Sequence, residues 1–335
     1  MGDTVSRSRG VLRTLALGVT ATAGTLALLG RVTPWPSVLV IRALFDRGAA
    51  TTSAALAAHA PSDLVEVVDD AYDISSPDGR LDVFRPARDQ PLPTVVWVHG
   101  GAFVSGRKGD VANYLRVLAG RGFTTVGVDY SIAPGARYPT PVRQVAGALA
   151  HLLDHADRLG VDPKRIVLAG DSAGAQIAAQ VALLVTQPAY AGRLGIDVEL
   201  APTSLRGLVL FCGAYDFRLA RGSSRLGTWF IDTALRSYLG SARHDEATMR
   251  QGTVALQLAP SFPATFVSPG NGDPLLPHTL GLIEALDQHV VDHEALLFPE
   301  DHEPRLGHEY QFDLDSREGR EALDRTVAFI RRVTD

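Results

Sequence analysis

The strongest constraint on how this chain folds lies at residues 165–186. There the apolar run Arg165-Ile166-Val167-Leu168-Ala169 passes through Gly170-Asp171-Ser172-Ala173-Gly174 into an alanine-rich, helix-like segment ending at Thr186. A strand that becomes a helix across five residues must bend sharply, and only small side chains leave room for the bend. Such a turn holds its central serine in a strained backbone that lifts the hydroxyl clear of the sheet. A second glycine-rich segment, His99-Gly100-Gly101-Ala102-Phe103, closes the apolar run Thr94-Val95-Val96-Trp97-Val98. Glycines directly after a strand leave backbone amides unshielded. Taken alone, each segment reads as an ordinary strand-to-helix link. Taken together, they read as a serine nucleophile and a loop whose amides can face a developing oxyanion. The expected donors are Gly101 and Ala102, with Gly100 as a further candidate, and Ala173 just after the serine.

The rest of the chain supplies a scaffold of the same kind. A short alternating run, Leu81-Asp82-Val83-Phe84, is followed by apolar runs at 94–98, 124–128, 165–169, 207–211, 264–267 and 295–298. Helix-like segments fall between or after them, near 111–121, 140–160, 175–186, 278–290 and 317–333. Strands alternating with helices predict an α/β fold, a mostly parallel, doubly wound sheet with helices on both faces. Residues 213–262 are less regular and read as a lid inserted between strands, with Tyr215, Phe217, Trp229, Phe230 and Tyr238 as lining or packing aromatics. Residues 49–60 are helical in character. The expected division is an apolar amino-terminal segment at 1–31, a cap or linker at 32–80, and a catalytic domain at 81–335.

Composition removes several classes of function. The 335 residues are 46% hydrophobic and carry a net charge of −5, with lysine only at Lys108 and Lys164. No basic cluster is present to track a nucleic acid backbone, so no nucleic acid partner is expected. Cys212 is alone and leaves the redox compartment open. No Cys/His cluster has metal-ligand spacing, so neither metal nor cofactor is expected. His151, His155, His289 and His293 read as surface or helix-flank residues. The amino terminus differs in kind, since Arg7, Arg9 and Arg13 precede an almost uncharged stretch, Thr14–Gly30, and then Arg31. Cations before an apolar run suggest membrane association through residues 14–30. A cleaved export signal or a cap helix over the site, in an exported or cytoplasmic protein, are the alternatives. The patch Val38-Leu39-Val40-Ile41, after Trp35, is expected at a membrane interface.

A serine hydroxyl needs a base, and the base needs a carboxylate to hold its tautomer. On sheets with such an elbow, the acid and then the histidine follow the serine in the chain. Asp273 follows the run 264–267 within Gly270-Asn271-Gly272-Asp273-Pro274-Leu275; its other reading is a cap for the helix starting near Pro277. After the last apolar run come His302 and His308. His308 is preferred, because Gly307 precedes it and Tyr310 follows, whereas His302 sits among Glu300, Asp301 and Glu303 in what reads as a solvated loop. Carboxylates near His308, including Asp301 and Glu309, are expected to raise its pKa.

With these residues in place, the chain resembles the hormone-sensitive-lipase-like family of α/β-hydrolases. The resemblance rests on His99-Gly100-Gly101-Ala102-Phe103, Gly170-Asp171-Ser172-Ala173-Gly174, Asp273-Pro274-Leu275 and the late histidine. Asp129-Tyr130-Ser131-Ile132-Ala133-Pro134, followed by Tyr138-Pro139, adds to it. It implies the α/β-hydrolase fold with a helical cap. It also implies hydrolysis of carboxylic esters of short to medium acyl chain through an acyl-enzyme, with Ser172, Asp273 and His308 as the triad. An amidase or deacetylase of the same fold, and a non-catalytic hydrolase-fold receptor, are the competing readings. The pattern departs from the family at Ala102, where a third glycine is usual, and at Glu309, where a small residue is commoner. The last strand of a parallel sheet can pair across a two-fold axis, which keeps a homodimer open.

Overall fold

A computed structural model describes residues 32–335 apart from 89 and 223, so the expected anchor at 14–30 lies outside the described residues. Eight strands form one sheet: β1 (Leu64–Ala71), β2 (Arg80–Pro86), β3 (Leu92–Val98), β4 (Thr124–Val128), β5 (Val161–Asp171), β6 (Leu205–Phe211), β7 (Thr265–Ser268) and β8 (His293–Ala295). Their order is β1-β2-β4-β3-β5-β6-β7-β8. The β1–β2 and β2–β4 pairs are antiparallel, and the pairs from β4 to β8 are parallel. The helices are α1 (Trp35–Ala57), α2 (Lys108–Gly120), α3 (Thr140–Asp154), α4 (Ala156–Leu159), α5 (Ser172–Thr186), α6 (Pro188–Leu194), α7 (Arg225–Leu239), α8 (Glu246–Gly252), α9 (Leu276–Gln288) and α10 (Arg317–Thr334).

The central strands are apolar without interruption because both faces are covered. Along β3 and β5 the faces alternate with period two. Val96, Val98 and Leu168 join the core shared with α3 and α5, while Val95, Trp97, Val167 and Ala169 join the core shared with α2 and α10. Complete burial of such a side chain is worth roughly 1.5–3 kcal/mol. An exposed ion pair contributes less than about 1 kcal/mol, so the strand interiors dominate. Helix α5 is buried on all sides from Ser172 to Val185. Its two buried glutamines are therefore hydrogen-bonded: Gln176 Nε2 donates to the Gly252 carbonyl at 2.9 Å, and Gln180 Oε1 accepts from the Tyr190 hydroxyl at 2.9 Å.

Three expectations change. Strand β1 falls within 32–80, so the sheet begins before residue 81 rather than after a linker. Glu66, Asp69 and Asp70 hide this strand in the sequence, yet each charge is met: Glu66 by Arg116 (2.8 Å), Asp69 by Lys108 (2.6 Å), and Asp70 by Arg158 (2.9 Å) and His151 (2.7 Å). Charges also protect such an edge from further pairing. The last strand stops at Ala295 instead of running over 295–298. After one more ladder bond, from Leu296 N–H to the Val267 carbonyl (3.0 Å), the chain leaves the sheet, and the Phe298 ring packs on Tyr310 (centroids 5.5 Å apart). Finally, the patch at 38–41 is one turn of α1 rather than a continuous interfacial surface. Val38 and Ile41 are buried in the core, and only Leu39 and Val40 face out. No helix among the described residues is long and apolar enough to cross a membrane.

Strand β3 and helix α5 approach so closely that a Cβ on Gly174 would collide with the Val98 and His99 carbonyl oxygens. Backbone cannot yield as a flexible side chain can. Gly174→Ala is therefore expected to lower stability by roughly 1–3 kcal/mol, read as a lower urea midpoint at unchanged m-value.

Candidate active site

Ser172 is the first residue of α5, at φ +52. A left-handed backbone at a non-glycine residue costs about 1–2 kcal/mol. The turn bears this strain because Gly170 and Gly174 let strand and helix meet, a Cβ on Gly170 falling 2.7 Å from the Gly174 carbonyl carbon. The serine hydroxyl is thereby held 2.9 Å from His308 Nε2, and His308 Nδ1 lies 2.9 Å from Asp273 Oδ1. A carboxylate only accepts, so the ring proton sits on Nδ1 and Nε2 is left to accept from the serine. Asp273 Oδ1 also accepts from the Leu275 N–H at 2.8 Å. Asp273 thus closes the turn that leads into α9 but does not cap the helix, whose N-cap position is Leu275.

The structure brings Ser172, Asp273 and His308 together, and His302 does not join them. His302 faces Glu318 at 3.3 Å and packs on the Phe298 ring. Residues that sequence reasoning passed over fix the geometry. Asn271 Nδ2 donates to the carbonyls of Pro299 (3.1 Å) and His302 (3.0 Å), and its Oδ1 accepts from the Leu306 N–H (2.8 Å). Gly272 N–H donates to the Leu306 carbonyl at 2.8 Å. Acid loop and histidine loop are therefore tied together by a turn whose only sequence signal is Gly-Asn-Gly before the aspartate.

The loop after β3 has the conformation its glycines suggested, with Gly101 at φ +112, Ala102 at φ +53 and Phe103 at φ +65. The Gly101 carbonyl accepts from Val104 (3.0 Å) and Ser105 (2.9 Å), closing a tight turn. Gly100 is the exception among the four expected donors. Its N–H bonds to the Asp171 carboxyl, so Gly101, Ala102 and Ala173 remain to face an oxyanion. Phe103 stacks on Tyr238 at 4.0 Å and meets Phe217 edge-on at 6.1 Å, joining the loop to the segment expected to be a lid. From the other side, Arg42 of α1 donates to the carbonyls of Val104 (2.6 Å) and Ala133 (3.1 Å).

Asp171, the residue before the serine, is buried, and its Oδ1 accepts from the Trp97 indole at 2.7 Å. It is also hydrogen-bonded to Glu309. Glu309 holds a left-handed conformation, φ +60, which explains why a small residue is easier there. Burial, followed by the Glu309 charge, puts the Asp171 carboxyl well above the ordinary carboxylate range. Burial alone would lower the His308 imidazolium, but its hydrogen bond to Asp273 and the nearby Glu309 carboxylate act the other way and raise the ring above its usual value. Burial pushes the Cys212 thiol up to about 11, so it stays neutral beside the ring. Cys212, Asp273 and His308 have ligand atoms within 4.8 Å of one another, but the carboxylate and the ring are already bonded to each other.

Two outcomes follow for solution measurements. The base must be neutral, so a raised His308 pKa moves the acid limb of kcat/KM to higher pH than for free histidine; a limb below that value contradicts the geometry. Asp273→Asn is expected to reduce kcat by about 10⁴ through the wrong tautomer, with the fold intact by circular dichroism.

Residues 95–302 match the model of a family with the alpha/beta hydrolase fold. Among solved structures, esterase B from Lactobacillus rhamnosis is 22% identical, with a TM-score of 0.75 over 88% of this chain and 95% of that one. A hyperthermophilic esterase from Pyrobaculum calidifontis is 24% identical, with a TM-score of 0.69 over 88% and 92%. A thermophilic carboxylesterase cloned from a metagenomic library is 25% identical, with a TM-score of 0.67 over 90% and 98%. The family match ends before His308, whose place rests on the two 2.9 Å contacts it makes. The chain belongs to the hormone-sensitive-lipase-like group of α/β-hydrolases.

Proposed function

We propose that this protein hydrolyses carboxylic esters of short to medium acyl chain through a serine-bound acyl-enzyme. The single observation that carries this is the continuous relay from Ser172 Oγ through His308 to Asp273, with 2.9 Å at each link. Ser172 attacks the ester carbonyl as His308 Nε2 takes its proton. Gly101, Ala102 and Ala173 supply amides for the oxyanion, and His308 returns the proton to the leaving alcohol. Water then repeats the sequence in reverse to release the acid. A neutral imidazole oriented by a carboxylate suits this sequence and needs no further group. The buried cluster of Phe103, Phe217 and Tyr238 holds the oxyanion loop against residues 213–262. With α1 pinned to the same loop, residues 213–262 serve as the cap.

Ser172→Ala is expected to reduce turnover of an aryl butyrate by at least about 10³-fold. An organophosphate should label wild type at one equivalent and leave the variant unlabelled. Retained turnover in Ser172→Ala would overturn the mechanism, and stoichiometric labelling separates an enzyme from a receptor. Faster cleavage of a matching anilide than of the ester would favour the amidase reading.

Membrane association belongs to the same proposal. Trp35, Leu39, Val40 and Leu44 of α1 are each exposed, shortly downstream of the apolar residues 14–30. Residues spaced by four share a helix face, so Trp35 with Leu39 and Val40 with Leu44 form two exposed apolar rows. Full-length protein should float with phosphatidylglycerol vesicles, and Leu39→Glu with Leu44→Glu should weaken flotation while hydrolysis of a soluble ester persists. Full-length protein that remains wholly with the soluble fraction would refute it.

A further inference from the structure

The hydrolytic steps make no use of Asp171 or Glu309, yet both carboxyls lie against the reacting groups. Asp171 holds the Trp97 indole N–H at 2.7 Å, the Gly100 N–H and the Glu309 carboxyl at once. Glu309 Oε1 stands 3.8 Å from His308 Nε2. A Cβ on Gly100 would collide with Asp171 Oδ2, and would lie 3.0 Å from Glu309 Oε1 and 3.1 Å from Ser172 Cβ. Three segments converge at that point: the oxyanion loop, the serine elbow and the histidine loop. Two carboxyl groups can share a hydrogen bond only with a proton between them, and two bare charges there would repel.

We propose that Asp171 and Glu309 form a proton-sharing positioning pair that fastens the oxyanion loop and the histidine loop to the serine elbow, and lets go when its proton is lost at alkaline pH. The inference rests on the Ser172–His308–Asp273 reading of the site. The direction follows from the surroundings. Because burial and then Glu309 raise the Asp171 carboxyl, the link is present at low and neutral pH and is lost as pH rises through that raised value. The groups facing the pair offer little to hold a second negative charge. Trp97 of β3 supplies a neutral donor. Tyr114 of α2, Tyr130 after β4 and Tyr310 of the histidine loop are buried phenols held above their ordinary range by burial. Asp129 adds a carboxyl, itself raised by burial. Cys212 after β6 remains a thiol, and Asp273 lies behind the ring. Among these groups His308 is the one that can be cationic, and it too loses its proton as pH rises.

The pair is tested by kcat/KM profiles of wild type, Glu309→Gln and Asp171→Asn, with Glu309→Ala as the disruptive control. An amide donates to its partner carboxylate at any pH. Wild type should decline on the alkaline side, and both amide variants should keep their plateau at least about tenfold further in hydroxide concentration. Glu309→Ala should lose about tenfold in kcat with little change in KM, and Gln should restore most of that loss. Infrared spectra at neutral pH should show a protonated-carboxyl stretch in wild type that Glu309→Gln lacks. If Asp171→Asn does not fold, Glu309→Gln alone decides, since its side chain lies at the rim. An alkaline limb that is the same in wild type and Glu309→Gln, or no protonated-carboxyl stretch in wild type, overturns the pair. Turnover surviving in Ser172→Ala would instead overturn the reading of the site, and the infrared result would still report on the pair.

Discussion

The close approach of β3, β5 and α5 is the contact on which the rest of this molecule depends. Gly170 and Gly174 bring backbone against backbone, and the chain can then pass from strand to helix within a single residue, Ser172. Everything that acts on the serine is positioned relative to that crossing. Strand β3 delivers the oxyanion loop beside it because Val98 and Gly170 are register partners. Strands β6 and β7 follow in order, so Cys212 and the acid loop emerge at the same edge of the sheet. A substituent on either glycine would separate the layers and would move the nucleophile, its oxyanion donors and its base by different amounts.

This dependence explains how much of the molecule was legible in the sequence. Central strands are buried on both faces, so they read as apolar runs, and β3, β4, β5 and β6 stand where those runs predicted. The serine elbow and glycine loop were equally plain, because steep turns restrict residue type. Edge elements carry weaker signals. Strand β1 was hidden by Glu66, Asp69 and Asp70, whose counterions come from α2, α3 and α4 and so cannot be seen locally. The end of β8 was misjudged because Phe298 leaves the ladder for a ring contact. In the site, His308 could be preferred over His302 only by its neighbours. Distance resolved the choice, along with Asn271, a residue that carries no chemistry and so drew no notice. Gly100 was expected to offer its amide outward, but a carboxyl from the next turn takes it.

The two departures from the family pattern differ in consequence. Ala102 adopts φ +53, a left-handed conformation that a methyl group tolerates with some strain. Glu309 is a larger change. Its left-handed backbone favours glycine, yet its side chain meets Asp171 and approaches His308. Strain at a residue whose side chain is so engaged is characteristic of positions where local stability yields to a specific geometry.

The buried glutamines of α5 also decide how firmly each end of residues 213–262 is held. Gln176 is bonded to the Gly252 carbonyl, Tyr190 donates to the Gln251 carbonyl at 3.0 Å, and Gln187 donates to the Gln257 carbonyl at 2.8 Å. Lifting α8 and the turn after it would strand these groups, at about 1–3 kcal/mol for each one left unpaired. Helix α7 is bound differently, meeting α1 through the Trp229 indole on Ser37 (3.2 Å) and the ring contact of Phe45 with Phe230 (5.8 Å), both near solvent. The α8 end of residues 213–262 is thus anchored by buried hydrogen bonds, whereas the α1–α7 seam is held by contacts that water can replace.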